Sequence, residues 1–216
     1  MKLYDELATD FSNSRAYPWK GWAKVKEYVE ESQKKPFSVL DLGCGNGRFA
    51  DFLKTEKMEF ENYLGIDNSK ELLQIAEERH SRDKVQFMFG DLEESWENNL
   101  TDKFDVIVIF GVMHHISTSE KRVELLKKMK SLLDENGVII VTYWQFGKYP
   151  RFTDKAESLG NNDYLLPFNG ESKARFCHFV DEQEATELEK QAGCEVVTSY
   201  YSDGSDEQLN LYRFYK

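Results

Sequence analysis

Residues 39–47 constrain the fold of this chain more than any other part of its sequence. An apolar strand pattern, residues 39–42, runs into a loop with glycines at alternate positions, Gly43, Gly45 and Gly47. Glycine permits a tight turn and lets a ligand approach the backbone closely. In a doubly wound sheet, this first strand–helix turn lies at the switch point where ligands bind. The segment predicts a ligand site on an α/β sheet, and an ordinary glycine-rich turn is the plain alternative.

Apolar runs of strand length recur along the chain and alternate with helical periodicity. Residues 71–80 and 120–133 are predicted helices, and residues 195–201 and 208–215 are β-rich runs separated by a polar turn. The alternation is typical of a mostly parallel sheet covered by helices, here with an antiparallel C-terminal hairpin appended to it. Buried strands are predicted at residues 38–42, 63–66, 85–89, 105–110 and 138–144.

The length of 216 residues predicts one domain, spanning residues 1–216. Residues 1–35 are expected to form an N-terminal helical cap. The aromatic, turn-rich residues 145–178 are expected to form a lid or substrate insertion over the sheet edge. The longest apolar run, residues 106–113, is too short to span a bilayer, so we expect no membrane partner. Three widely spaced cysteines fit reduced thiols in a cytoplasmic protein and predict no metal site.

Acidic side chains follow the first three strands. Arg48 occupies the position where a nicotinamide-binding loop requires glycine or alanine, and Asp41 adds a carboxylate that suits a cation better than a phosphate. Asp67 ends the second strand, where a carboxylate can accept hydrogen bonds from ribose hydroxyls. Asp91 follows the third strand and can accept from an adenine amino group while Leu92 packs on the ring. Helix capping is the plain alternative for both later acids.

The loop and the ordered acidic strand ends resemble the pattern of class I S-adenosylmethionine-dependent methyltransferases, over residues 39–144. The resemblance implies a Rossmann-like α/β fold with a seven-stranded, mostly parallel sheet and an antiparallel last strand. It also implies S-adenosyl-L-methionine as the cofactor. The predicted cofactor-binding residues are Asp41, Gly43, Gly45, Asn46, Gly47, Asp67, Asn68, Asp91, Leu92 and Phe110.

A narrower resemblance covers nearly the whole chain and concerns the tRNA wobble-uridine carboxyl methyltransferases. Members of that family form the methyl ester of 5-carboxymethyluridine in the anticodon loop. The resemblance implies this reaction, the tRNA anticodon loop as a partner and, from the eukaryotic members, a small zinc-containing activator protein. It is carried by residues 4–8, 11–15, 17–19, 113–122, 143–144, 163–167, 175–179 and 199–201.

The candidate catalytic residues are Arg15, His114, Arg175 and His178. A carboxylate is already ionised at neutral pH, so it needs no general base to attack a methyl group. Arginine can grip a carboxylate or a phosphate through paired hydrogen bonds. His114 follows the fourth strand, and His178 lies three residues beyond Arg175. Three alternatives stay open: Arg15 paired with a surface acid, a packing role for His114 or His115, and a structural role for His178.

The net charge of −11 counts against a nucleic-acid partner. Residues 1–26 nevertheless carry five basic and three acidic side chains, and residues 148–178 carry five and four. Two alternatives to the wobble-uridine reaction stay open. They are methyl transfer to a small-molecule carboxylate or hydroxyl, and a non-catalytic binding module on the same fold. Four aromatic residues are candidates for stacking on bases or for the core: Trp19, Trp22, Trp144 and Phe146.

Overall fold

The computed structural model describes residues 3–6, 8, 12, 17–80, 84–98, 100–168 and 174–216. The candidate Arg15 lies outside these residues, as does much of the first half of the expected N-terminal cap. In chain order the elements are α1 (Leu3–Glu6), α2 (Trp22–Ser32), β1 (Phe37–Leu42), α3 (Arg48–Thr55), β2 (Phe60–Asp67), α4 (Lys70–His80), β3 (Val85–Phe89), β4 (Phe104–Ile109), α5 (Ser119–Ser131), β5 (Leu133–Trp144), α6 (Pro150–Thr153), β6 (Glu157–Gly160), β7 (Asp163–Pro167), β8 (Ala174–His178), α7 (Glu182–Ala192), β9 (Val196–Ser202) and β10 (Asn210–Tyr215). Short 3-10 turns cover Met113–His115 and Phe146–Lys148.

Seven strands form the main sheet in the order β3-β2-β1-β4-β5-β10-β9. The first five strands pair in parallel, whereas β10 runs antiparallel to both β5 and β9. The chain order reverses between β1 and β4, so the loop after β1 lies at the switch point of the sheet. The predicted α/β fold and its antiparallel C-terminal hairpin are therefore confirmed.

Alternate residues of the buried strands face two separate apolar layers. Val39 and Val106 pack with α2 and α3 on one face of the sheet. Leu40 and Ile107 pack with α5 and α7 on the other face. Because successive strand side chains point to opposite faces, continuous apolar strands are buried on both sides. The two apolar layers hold the sheet between the helices, and the carboxyl ends of β1–β4 remain available for a ligand site.

Some element boundaries differ from the sequence prediction. Strand β5 begins at Leu133, where a helix end and a turn over residues 134–137 were expected, because Leu133 pairs with Phe104 at the start of β4. Strand β4 ends at Ile109, so Phe110 lies just beyond the sheet. Helices α3 and α7 were not predicted. They have eight and eleven residues, and each buries four side chains against the sheet.

The described part of residues 145–178, namely 145–168 and 174–178, forms a small layer with its own structure; we call this layer the lid, after the expectation, which stays a prediction. Strands β6, β7 and β8 make an antiparallel sheet, in which Asp163 pairs with His178. Its core consists of Phe146, Leu166 and Cys177. This layer lies beside the 3-10 turn that follows β4 and completes the far wall of a cavity. Among the described residues, no helix has the length and apolarity needed to cross a membrane.

Candidate active site

The loop after β1 is built by backbone conformations that favour glycine. Gly43 has φ 74°, and a Cβ there would lie 2.2 Å from a methyl group of Val112. Gly47 has φ 77° at the start of α3. The N–H of Gly43 donates to the Ile66 carbonyl at 2.7 Å, which ties the loop to β2. The loop is therefore held in one shape, and its glycines leave the backbone open to close approach by a ligand.

Asp67 joins the glycine loop to the start of α4. One carboxylate oxygen accepts from the Gly45 N–H at 2.8 Å, and the other accepts from the Ser69 N–H at 2.9 Å. Each oxygen has a second lone pair for a ligand hydroxyl. Removal from water raises the pKa of Asp67. Nearby, Asn46 is 2% exposed, and its amide nitrogen has no hydrogen-bond partner among the described residues.

Asp91 and Asp41 complete the acidic side of the site. Asp91 accepts from the Glu93 N–H at 3.0 Å and from the Asn68 amide at 3.4 Å. Asp41 is buried at the end of β1, and the Tyr63 hydroxyl donates a hydrogen bond to it. Burial raises the pKa of Asp41 to about 7, and the Tyr63 bond opposes that rise. Sequence reasoning missed Tyr63, which reaches Asp41 only through the parallel register of β1 and β2.

These groups line one cavity of about 920 Å³. The volume lies near the upper end of the roughly 300–1,000 Å³ typical of ligand pockets, so it has room for a cofactor and part of a substrate. A backbone loop open to close approach, a carboxylate with free lone pairs and the buried Asn46 amide fit S-adenosyl-L-methionine. Nine of the ten predicted cofactor residues line the cavity: Asp41, Gly43, Gly45, Asn46, Asp67, Asn68, Asp91, Leu92 and Phe110. The tenth, Gly47, is instead the N-cap residue just before α3.

The opposite wall of the cavity is aromatic and basic. Arg175 lies there, with its guanidinium carbon 4.9 Å from the centre of the Phe168 ring and 5.7 Å from that of Trp144. Arg151 and Lys155 also line this wall, and the sequence analysis did not single them out. The separation of charge is incomplete, because Arg48 lies over Trp19 and Trp22 beside the glycine loop. The cavity is nevertheless acidic at the strand ends and basic at the lid.

The Arg175 guanidinium is held by a chain of hydrogen bonds from three parts of the sequence. Its Nη1 donates to the Tyr4 hydroxyl at 3.1 Å, and that hydroxyl lies 2.8 Å from His115 Nε2. His115 Nδ1 lies 3.0 Å from the Phe176 carbonyl. Burial and the nearby Arg175 charge lower the pKa of His115 to about 3. The imidazole is therefore neutral, donates from Nδ1 to the carbonyl, and accepts from Tyr4 at Nε2.

The two candidate histidines have different positions. His114 lines the cavity, with its ring centre 5.0 Å from that of Trp144. His178 is not among the lining residues and lies between two carboxylates, 2.6 Å from Asp163 and 2.8 Å from Glu184. Glu184 also pairs with the buried Arg122 at 3.0 Å. This arrangement matches the structural alternative for His178, which fastens the lid to α7.

The four aromatic candidates also differ in their positions relative to the cavity. Trp19 and Trp144 line the cavity and are partly buried. Trp22 touches the cavity but is 1% exposed, and it belongs to the core beneath α2. Phe146 is fully buried within the lid. Only the first two can offer a ring face to a base, so stacking stays a prediction for them alone.

The fold brings together three groups that are able to bind a metal. Ligand atoms of His114, His115 and Cys177 lie within 4.8 Å of one another. The sequence spacing does not show this, because Cys177 arrives from the lid. Both ring nitrogens of His115 are engaged by Phe176 and Tyr4, and burial raises the pKa of the Cys177 thiol to about 11. These groups serve hydrogen bonding and packing, and the absence of a structural metal stays a prediction.

A family model described as a methyltransferase domain matches residues 14–199. The chain belongs to this methyltransferase domain family. The predicted enzyme class, a methyltransferase, is thereby confirmed. The catalytic assignments of individual residues in this methyltransferase stay predictions.

Two curated relatives of this methyltransferase carry tRNA-related names. "Probable tRNA methyltransferase 9B" of Bos taurus is 28% identical over 171 residues, which cover 77% of this chain and 32% of the relative. "tRNA (carboxymethyluridine(34)-5-O)-methyltransferase alkbh8" of Xenopus tropicalis is 31% identical over 143 residues, covering 66% of this chain and 20% of the relative. The methyltransferase thus spans about a third or less of either relative. The resemblance drawn from the sequence is confirmed as a likeness to these proteins.

A solved structure supports the fold. The crystal structure of a S-adenosylmethionine-dependent methyltransferase from Clostridium acetobutylicum matches this methyltransferase with a TM-score of 0.75. The match covers 99% of this chain and 98% of that chain at 17% identity. At this identity the likeness concerns the fold alone.

Proposed function

We propose that this chain transfers a methyl group from S-adenosyl-L-methionine to the carboxylate of 5-carboxymethyluridine at the tRNA wobble position, forming a methyl ester. The observation that carries the proposal is Arg175 on the lid wall of the cavity that also contains the acidic strand ends. A fixed guanidinium suits an anionic substrate, and the acidic wall suits a cationic cofactor. The name of the Xenopus tropicalis relative supports the same substrate class.

In this proposal Asp67 and Asp91 accept hydrogen bonds from the cofactor, and the Asn46 amide donates one. When bound, the cofactor would supply an electrophilic methyl group on a positively charged sulfur. The substrate carboxylate oxygen would provide the electron pair of the new carbon–oxygen bond, and the pair of the broken carbon–sulfur bond would stay on sulfur. No proton leaves the substrate, because a carboxylate is ionised at neutral pH. His115 has a pKa of about 3 and both ring nitrogens engaged, so it is a weak base, which agrees with a site that needs none.

The residues of the lid wall then supply position and exclusion of water. Arg175 grips the carboxylate, and its contacts with Trp144 and Phe168 limit the directions it can take. Trp144 is braced by Phe152, with 5.0 Å between ring centres. Rate in such a site comes from alignment and from a dry environment. Arg15, which lies outside the described residues, keeps its predicted role as a second anion-binding group.

A second candidate function is methyl transfer to a small-molecule carboxylate. The net charge of −11 favours it, because a polyanionic RNA is repelled by an acidic surface. A small zinc-containing activator protein could supply the missing basic surface for tRNA, and we keep it as a proposed partner. The cytoplasmic location stays a prediction.

The proposal is tested with labelled cofactor and three substrates: bulk tRNA, an anticodon stem-loop containing 5-carboxymethyluridine, and a small-molecule extract. Each is assayed with and without the zinc protein. The product is treated with mild alkali, which releases a methyl ester but leaves N-methyl and ribose-methyl groups. Arg175→Ala is expected to reduce turnover much more than cofactor affinity. Lys127→Ala, an exposed lysine on α5 outside the cavity, is the control for loss of one positive charge.

Alkali-labile label on the modified stem-loop, reduced by Arg175→Ala and kept by the control, supports the proposal. Label that stays on RNA through alkali contradicts an ester. Label only in the extract favours the small-molecule function. Tight cofactor binding without transfer to any substrate would indicate a binding module.

A further inference from the structure

Arg175 reaches the cavity from β8. An arginine side chain has many rotamers and loses much entropy when it is fixed. One of its nitrogens donates to Tyr4, while its Nε is buried and has no hydrogen-bond partner among the described residues. A guanidinium in this setting can present its remaining N–H groups to a ligand only if something fixes its plane. The groups beside the guanidinium are the Tyr4 hydroxyl, which accepts from Nη1, the Trp144 and Phe168 rings, and the Cys177 thiol.

Tyr4 is able to fix that plane because its own hydroxyl has a defined direction. Its proton is committed to His115 Nε2 at 2.8 Å, so an oxygen lone pair remains for the Arg175 Nη1 at 3.1 Å. The Tyr4 ring is itself held by edge contacts with His115 at 5.6 Å and Phe168 at 6.4 Å. The hydroxyl cannot turn away without losing the bond to the imidazole.

The direction of the Tyr4 proton depends in turn on the tautomer of His115. The Phe176 carbonyl can only accept, so His115 Nδ1 carries the hydrogen and Nε2 is left as an acceptor. Phe176 is the immediate neighbour of Arg175 in β8. The chain of hydrogen bonds therefore starts and ends on the same strand and closes a loop through Tyr4 and His115.

We propose that Tyr4 and His115 are positioning residues that orient the Arg175 guanidinium toward the substrate carboxylate. This inference rests on the proposed function for its kinetic consequence, although the orientation itself does not. Because the imidazole pKa lies at about 3, the arrangement keeps one protonation state from weakly acidic to basic pH. A protonated imidazole would donate at Nε2 and would repel the guanidinium.

The decisive variant is Tyr4→Phe, which removes one oxygen and keeps the ring contacts. Loss of this hydrogen bond between a charged and a neutral group should lower kcat/KM about tenfold, mostly by raising KM for the substrate, and should leave cofactor affinity unchanged. His115→Gln keeps a carbonyl acceptor for Tyr4, so it is expected to retain more activity than His115→Phe. Tyr149→Phe is the matched control, since that hydroxyl bonds Asp206 at 2.9 Å and not Arg175.

A double-mutant cycle separates positioning from a general effect on folding. If Tyr4 acts through Arg175, Tyr4→Phe costs less than about twofold in an Arg175→Ala background, because the group to be positioned is gone. An undiminished loss in that background would mean that Tyr4 acts by another route, and the inference would be overturned. Thermal unfolding of each variant shows whether the fold is kept.

A second measurement does not depend on activity. NMR relaxation of the Arg175 Nε–H, assigned by its loss in Arg175→Lys, is expected to give an order parameter comparable to the ~0.85 of rigid groups, falling below ~0.6 in Tyr4→Phe. Equal order in both proteins would refute the positioning role. If wild type forms no ester on any substrate, the proposed function fails, while the NMR result still decides the orientation. If Tyr4→Phe lowers the Arg175 order parameter but leaves kcat/KM of an active enzyme unchanged, the hydrogen bonds of Tyr4 and His115 have no kinetic role.

Discussion

Asp41 is the residue at which cofactor binding and stability are expected to oppose each other. Its carboxyl is 2% exposed, and burial raises its pKa from 3.8 to about 7. In the unfolded chain the same group ionises at its ordinary value. A difference of about three pKa units corresponds to about 4 kcal/mol, at about 1.36 kcal/mol per unit, and this is an upper limit for the effect.

The sign follows from proton binding in the two states. Between pH 3.8 and about 7, the folded protein holds a proton on Asp41 that the unfolded chain has released, so the free energy of unfolding falls as pH rises. The contribution of the Asp41 proton to the free energy of unfolding is complete below pH 3.8 and is lost above about pH 7. Asp41→Asn keeps an oxygen that can accept from Tyr63 and has no charge to bury. We expect this variant to exceed wild type in stability by up to about 4 kcal/mol near pH 8.5, with a gap that closes toward pH 4.

The assay is urea unfolding of wild type and Asp41→Asn across this pH range, followed by circular dichroism. Asp134→Asn, at an exposed position, is the control for the substitution itself. Above about pH 7, where Asp41 is ionised, the same variant should bind S-adenosylmethionine more weakly than wild type, because it lacks the carboxylate that attracts the cofactor's positive charge. A stability gap that does not change with pH, or a wild type that is more stable at pH 8.5, would refute the reasoning.

Three further predictions follow from the site. Asp67→Ala should weaken cofactor binding by about 1.5–3 kcal/mol in calorimetry, and an unchanged affinity would remove Asp67 from the cofactor site. Gly43→Ala should lower the free energy of unfolding, measured in urea, by about 1–3 kcal/mol or more, since its φ is 74° and a Cβ would meet Val112. The control is Gly160→Ala, where φ is 87° and no atom lies within 4 Å of a Cβ. This control measures the cost of the backbone conformation alone. Between pH 6.5 and pH 5 the His115 contribution to the free energy of unfolding should fall by about 2 kcal/mol, because the unfolded chain protonates His115 while the folded one, with a pKa of about 3, does not. The Asp41 contribution rises by about the same amount over this interval, so the His115 effect is measured as a difference between wild type and a variant. The difference in free energy of unfolding between His115→Phe and wild type should therefore shift by about 2 kcal/mol in favour of the variant between pH 6.5 and pH 5, and a difference that does not change with pH would contradict the assignment.

Much of the sheet and of the acidic wall was predictable because the signals are local. The glycine loop, Asp67 and Asp91 each follow a strand directly, and carboxyl ends of parallel strands meet at one edge. Asp41 with Tyr63 was not predictable in the same way. The pair needs the register between β1 and β2, in which Val39 lies beside Tyr63, and a single sequence does not contain that register.

The lid wall was less predictable because its parts come from distant segments. Tyr4 and Arg175 are separated by 171 residues and meet only when the N-terminal helix and the lid close on the same edge. His178 shows the opposite case. Its position near Arg175 in sequence suggested a shared role, but β8 alternates its faces, and the fold points His178 at Asp163 and Glu184.

The unequal charge of the two cavity walls has a consequence for turnover. In the proposed reaction a cation and an anion enter, and a thioether and a neutral ester leave. The Asp41 carboxylate, assigned to the positive charge of the cofactor, and the Arg175 guanidinium therefore attract the reactants more strongly than the products. Such charges act mainly on binding and release, since they favour the ground state at least as much as a transition state in which both charges are fading. In the proposed reaction, the loss of both charges should therefore weaken the binding of the products relative to the reactants.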